Sequence, residues 1–199
     1  MMLFRNILTN PLEGNISDSF EREKPNPEDC GTTIIHPDDP TTAFLTEIYD
    51  ERPAVGKIER KEVYRSKIQL GERTLLLGHG FPQGLVGGGK IVIDDSFADL
   101  FEDQPNNVYV FCNADCYVWR NRLRGFATGM FISEPIEAQI FNVDATPQEI
   151  NDSNVLFSRL MRQSIDLKPR EILEHMKTHY HITGNAAVEY NRNGLRVFE

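Results

Sequence analysis

A chain of 199 residues, 40% apolar and 26% charged, is long enough to bury one ordinary core, and nothing in its composition suggests disorder or a fibre. Its net charge of -9 disfavours nucleic acid and anionic membrane surfaces, which demand clustered Lys and Arg; only Arg120, Arg122 and Arg124 form a local basic patch suited to a specific anion. No apolar run approaches the roughly 20 residues of a membrane span. Met1 to Pro11 lacks the apolar region of a secretory signal, and three cysteines are an odd count for a disulfide framework, so a cytoplasmic setting is expected.

Residues 1–31 carry few apolar side chains between Glu13 and Gly31 and read as an N-terminal arm or loop. Thr32-Thr33-Ile34-Ile35 is a first buried strand, and Asp39 or Thr41 caps a helix bearing Phe44, Leu45, Ile48 and Tyr49 at helical spacing. Residues 59–69 fit helix or strand. Thr74 to Leu77 is a buried apolar run that stops on Gly78-His79-Gly80, and Lys90 to Ile93 is a short strand able to pair as a hairpin. Ser96 caps a helix with Phe97, Leu100 and Phe101, after which Val108 to Phe111 is a second buried run, stopping on Cys112. Tyr117–Leu123 reads as helix and Gly125–Ile132 as another apolar run. Thr146-Pro147-Gln148-Glu149 is a strong helix start, with a Thr cap, Pro at the first helical position and Glu at the third. Pro169 opens one more helix. Ala187–Tyr190 and Leu195–Phe198, around Asn191 to Gly194, have the form of a C-terminal β-hairpin.

Short buried strands alternating with amphipathic helices predict a three-layer α/β/α sandwich on a mostly parallel sheet, with residues 32–182 as the body and 183–199 as a hairpin of the same domain. Ligands in such folds sit beyond the carboxyl ends of the strands, where His79 and Cys112 both fall. A thiol is nucleophilic only as thiolate, and an imidazole within hydrogen-bonding reach generates it. Gly80, lacking a side chain, would let its amide approach an oxyanion, with the Cys112 amide as second donor.

An apolar strand, His-Gly, a spacer, a second apolar strand and Cys is the layout of the caspase-like cysteine peptidases of clan CD, which this stretch resembles, CHAT domains especially. Gly125 to Ala138 is similar to the Gly- and Ser-rimmed strand and small-residue helix that follow the nucleophile there, and the likeness spans roughly residues 32–165. The resemblance implies a caspase-like fold and peptide-bond hydrolysis through a thioester, with Cys112 as nucleophile and His79 as base. It implies a peptide or protein substrate cut after Asp, Arg, Lys or Asn, and no metal or cofactor. Asp94, Asp95, Asp115 and Glu134 lie near strand rims and suit a basic side chain, Asn113 and Ser133 flank them, and Arg120, Arg122 or Arg124 would suit an acidic one.

The chain departs from that pattern at Phe111, where the family has a small residue, and at Asn113, where caspases have Arg. These departures support an alternative, a catalytically degenerate module that binds or signals. Cys116 is a competing nucleophile, four residues further on, and Cys30 lies in the polar arm. Gly84 to Lys90 fits the start of a P-loop, yet Ile91 replaces the hydroxyl that binds magnesium and the following run reads as strand. Cys112, Cys116, His175 and His179 have zinc-like spacings in two unrelated settings. Ser133-Glu134 with a distant His lacks the Gly-x-Ser-x-Gly elbow of a serine hydrolase. Oligomeric state is not legible.

Overall fold

The computed structural model describes residues 31–199, which form one unit. In chain order they build β1 (Thr32–Ile35), a 3-10 turn (Pro40–Leu45) running into α1 (Thr46–Tyr49), α2 (Lys61–Leu70), β2 (Arg73–Leu77), β3 (His79–Phe81), β4 (Gly84–Gly87), β5 (Lys90–Ile93), α3 (Ala98–Phe101), β6 (Val108–Val110), α4 (Ala114–Arg120), β7 (Gly125–Thr128), α5 (Pro135–Ile140), α6 (Pro147–Ser164), α7 (Pro169–His179), α8 (Ala186–Asn193) and β8 (Leu195–Phe198). The arm expected over 1–31, Gly31 aside, and Cys30 lie outside the described residues. Among the described residues, no helix is long and apolar enough to cross a membrane.

Five strands make the main sheet in the order β1-β2-β6-β7-β8, parallel except for the last pair. Because strand side chains alternate between faces, each apolar run serves two cores. Ile34, Leu75, Leu77, Val108, Val110 and Phe126 point to one face, where α1, α6, α7 and α8 bring Ile48, Phe157, Met161, Met176 and Val188. Ile35, Leu76, Tyr109 and Ala127 point to the other, against Tyr64 and Ile68 of α2, Phe101 of α3 and Tyr117 of α4. That double burial is why the strands read as continuous apolar runs, and it gives the expected α/β sandwich. Residues 59–69, open between helix and strand in the sequence, are mostly α2, with Tyr64 and Ile68 one turn apart on its buried face.

The smaller antiparallel sheet β3-β4-β5 follows β2 directly. Here the Gly84 to Lys90 stretch is a hairpin with Gly88 and Gly89 at positive φ, not a loop opening a helix, so the P-loop reading fails. The helix starts at Thr146 and Pro169 stand where the sequence placed them, and Thr146 and Glu149 cap each other reciprocally.

The C-terminal hairpin requires correction. Leu195–Phe198 is an antiparallel strand, but it pairs with β7, and Ala187–Tyr190 lies in α8. Asn185 starts that helix by accepting the Val188 amide (3.0 Å). Asn191 is buried rather than turning the chain: its side-chain amide pairs with both backbone groups of Ile132, at 2.6 and 2.9 Å. A polar pair of that kind is worth burying because each group satisfies another that is equally buried.

Candidate active site

β2 and β6 are hydrogen-bonded neighbours, and the Gly78 amide continues their ladder onto Val110 O (3.0 Å). His79 and Cys112, each just past one of these strands, therefore line a common cavity with Thr42, Phe44, Phe131 and Ser133. Its volume is about 20 Å³. A single water fills such a space; a peptide side chain does not.

His79 is held by Thr41 and Asp39. The Thr41 hydroxyl lies 2.5 Å from His79 Nε2 and 2.7 Å from Asp39 Oδ1, with Asp39 Oδ1 itself 3.9 Å from Nε2. A hydroxyl has one proton, and donation to the carboxylate leaves its oxygen to accept Nε2–H, which puts the imidazole lone pair on Nδ1. Thr41's side chain and then its amide hold the Asp39 carboxyl below the usual carboxylate range. Asp39 also caps the 3-10 turn, so this chain of contacts is part of the local fold.

Cys112 faces other groups. Its Sγ lies 3.4 Å from Phe131 O and 3.7 Å from Glu137 Oε1, and these, not His79, receive the thiol proton. Burial first, and then the Glu137 carboxylate, push the thiol up to about 12. At neutral pH it is a protonated donor. Glu137 is fixed by three further contacts, to the amides of Ser133 (2.7 Å) and Glu134 (2.9 Å) and to the Ser133 hydroxyl (3.0 Å), the arrangement that starts α5.

Gly80, expected at an oxyanion hole, lies inside the β3–β4 ladder opposite Leu85. Its glycine identity has a steric reason: a Cβ there would stand 2.2 Å from Cδ2 of the buried Phe111 ring. Asn113 takes a left-handed conformation, φ 62°, between β6 and α4, with its amide on Gly129 O (3.0 Å). Asp115 follows in the first turn of α4 and accepts the Cys116 amide (2.8 Å). Asp94 caps the turn after β5, accepting Ser96 and the Lys61 ammonium, and Asp95 accepts Arg120 and Asn121. These two aspartates thus already hold cations of the chain. Only Ser133, of the six expected substrate contacts, lines the cavity with the Cys and His. Cys116 is exposed on α4, and burial and Asp115 raise its thiol too.

Sequence reasoning missed Glu137, Thr41 and the Phe131 carbonyl. Glu134-Pro135-Ile136-Glu137 repeats the Pro-first, Glu-third start read at Thr146, which was the signal for Glu137. No sequence signal marks a carbonyl. The rings of His175 and His179 lie on α7 with centroids 4.7 Å apart and tilted by 51°, and no group of three or more His, Cys, Asp or Glu among the described residues is placed to hold a metal ion. Compared with family models, with curated proteins and with solved structures, the chain gives no match.

Proposed function

We propose that this chain is a recognition module on the caspase-like plan, which binds a protein partner at the carboxyl rim of its sheet without cleaving it. The observation that carries the reading is the orientation of the Cys112 thiol, committed to Phe131 O and Glu137 under a cavity of one-water size. A nucleophilic thiol needs a base or a cation beside it, whereas a carboxylate disfavours the thiolate. Support for binding comes from the elements that frame the thiol. Phe81 on β3 and Ile136 and Ile140 on α5 are large apolar side chains left in water, Ile140 at 65% exposure. Exposed aromatic and aliphatic groups of this kind supply interface anchors.

The reading is tested by selecting displayed peptides on the purified chain and by treating the same chain with a mixed library of peptide electrophiles. Binders should survive Cys112→Ala and lose affinity in Ile136→Ala, and Cys112 should stay unlabelled. Labelling of Cys112 that vanishes in His79→Ala would overturn it. That outcome belongs to a second reading, a dormant peptidase, which one observation favours: the Asp39–Thr41–His79 contacts orient an imidazole as a catalytic base is oriented.

A further inference from the structure

A cavity of about 540 Å³, far roomier than the space at Cys112, lies at the other end of the sheet. Pro105 and Asn106 lead into β6, Arg124 leads into β7, and Val197 and Phe198 end the antiparallel β8, so the cavity opens where the parallel strands begin. Its remaining wall is the start of α7, with Lys168, Pro169, Arg170, Glu171 and Glu174. The volume suits a small organic molecule.

The charges around it are not equivalent. Arg170 is taken by Glu199 in a two-point ion pair, at 2.8 and 2.6 Å. The Glu171 carboxylate turns back onto the Lys168 amide (3.0 Å). Arg124 donates to the Glu102 carbonyl (2.9 Å), a neutral acceptor, and neither Arg124 nor Lys168 forms an ion pair among the described residues. Arg124 and Lys168 thus stand without a carboxylate partner at a cavity otherwise walled by Pro105, Pro169, Val197 and Phe198, where Glu171, held by a backbone amide, and Glu174 are the carboxylates without a cation. An ion with an apolar body satisfies both features, since its acid group meets the cations and its body covers the prolines and Phe198.

We propose that this cavity is a binding site for a small organic anion, an apolar body bearing one acid group, separate from the Cys112 rim. The probe is 8-anilinonaphthalene-1-sulfonate, with the uncharged N-phenyl-1-naphthylamine as its partner. Fluorescence titration of the full chain should show one saturable sulfonate site per chain. Its affinity should fall about tenfold in Arg124→Gln/Lys168→Gln and weaken with added salt. The neutral dye should bind the wild type and that variant equally, which also reports that the variant is folded. Asn106→Trp, at an exposed position on the cavity wall, should abolish both signals with near-ultraviolet circular dichroism unchanged. The proposal is overturned by the absence of saturable sulfonate binding, by equal sulfonate affinity in the double glutamine variant, by loss of the neutral dye there, by binding unaffected by Asn106→Trp, or by inorganic phosphate competing as well as the dye.

Discussion

The state of the Cys112 thiol can be read directly from its rate of disulfide exchange. An ordinary thiol of pKa near 9 is about one-tenth thiolate at about pH 8, whereas one raised to about 12 is about one ten-thousandth, a drop of about a thousandfold. Intrinsic nucleophilicity rises with pKa, and over this interval it recovers about twentyfold. The native thiol should therefore react about fiftyfold more slowly than the same thiol in unfolded chain, before any steric shielding is counted. The assay uses a Cys30→Ser/Cys116→Ser background, leaving Cys112 alone, and follows release of the chromophore from an aromatic disulfide reagent with and without urea. Glu137→Gln removes the carboxylate next to the thiol and should accelerate the native reaction several-fold, while His79→Ala should leave it unchanged. A native rate within about threefold of the unfolded one, or a clear slowing in His79→Ala, would refute the assignment of the proton to Phe131 O and Glu137.

Other outcomes follow from the packing and the buried acids. Gly80→Ala should cost about 2–3 kcal/mol in urea unfolding, and less in a Phe111→Ala background where the ring it meets is gone; equal costs in both would show the clash is not with Phe111. Asn191→Ala strands both Ile132 backbone groups and should lower stability by about 2–4 kcal/mol, seen as a fall in the urea midpoint. Burial raises Cys112, Tyr109, Tyr117 and Tyr180, so above about pH 9 the unfolded chain releases protons that the folded one keeps. Stability should fall from there upward, and in a Cys116→Ser background Cys112→Ala should postpone the fall towards about pH 10, where the buried tyrosines take over; a midpoint flat from about pH 8 to 11 contradicts this.

The sheet was legible because its strands are buried on both faces, and a run such as Thr74 to Leu77 has few other uses. The pairing of β2 with β6, which brings His79 and Cys112 to one cavity, followed from the same pattern. What sequence could not convey was direction. Whether a thiol at a strand end points to an imidazole or to a carboxylate depends on the corner between residues 131 and 137, and that corner is set by the cap at Glu137. The C-terminal helix was missed for a related reason. Asn191-Arg192-Asn193-Gly194 has turn chemistry when taken locally, but Asn191 forms its hydrogen bonds with Ile132, 59 residues away, and tertiary pairing overrides the local preference. Gly80 shows the converse: a glycine with a chemical explanation in sequence has a steric one in the fold.

The clamp of Asn191 on Ile132 has a consequence for timing. Phe131 O, which receives the Cys112 thiol, belongs to the residue next to that clamp, so the pocket that keeps the sulfur protonated is finished from a part of the chain made long after Cys112 itself. In chain order β2 and β6 precede their closing piece, α8. Until residues 186–193 are in place, the corner that receives the Cys112 proton lacks the clamp that closes it.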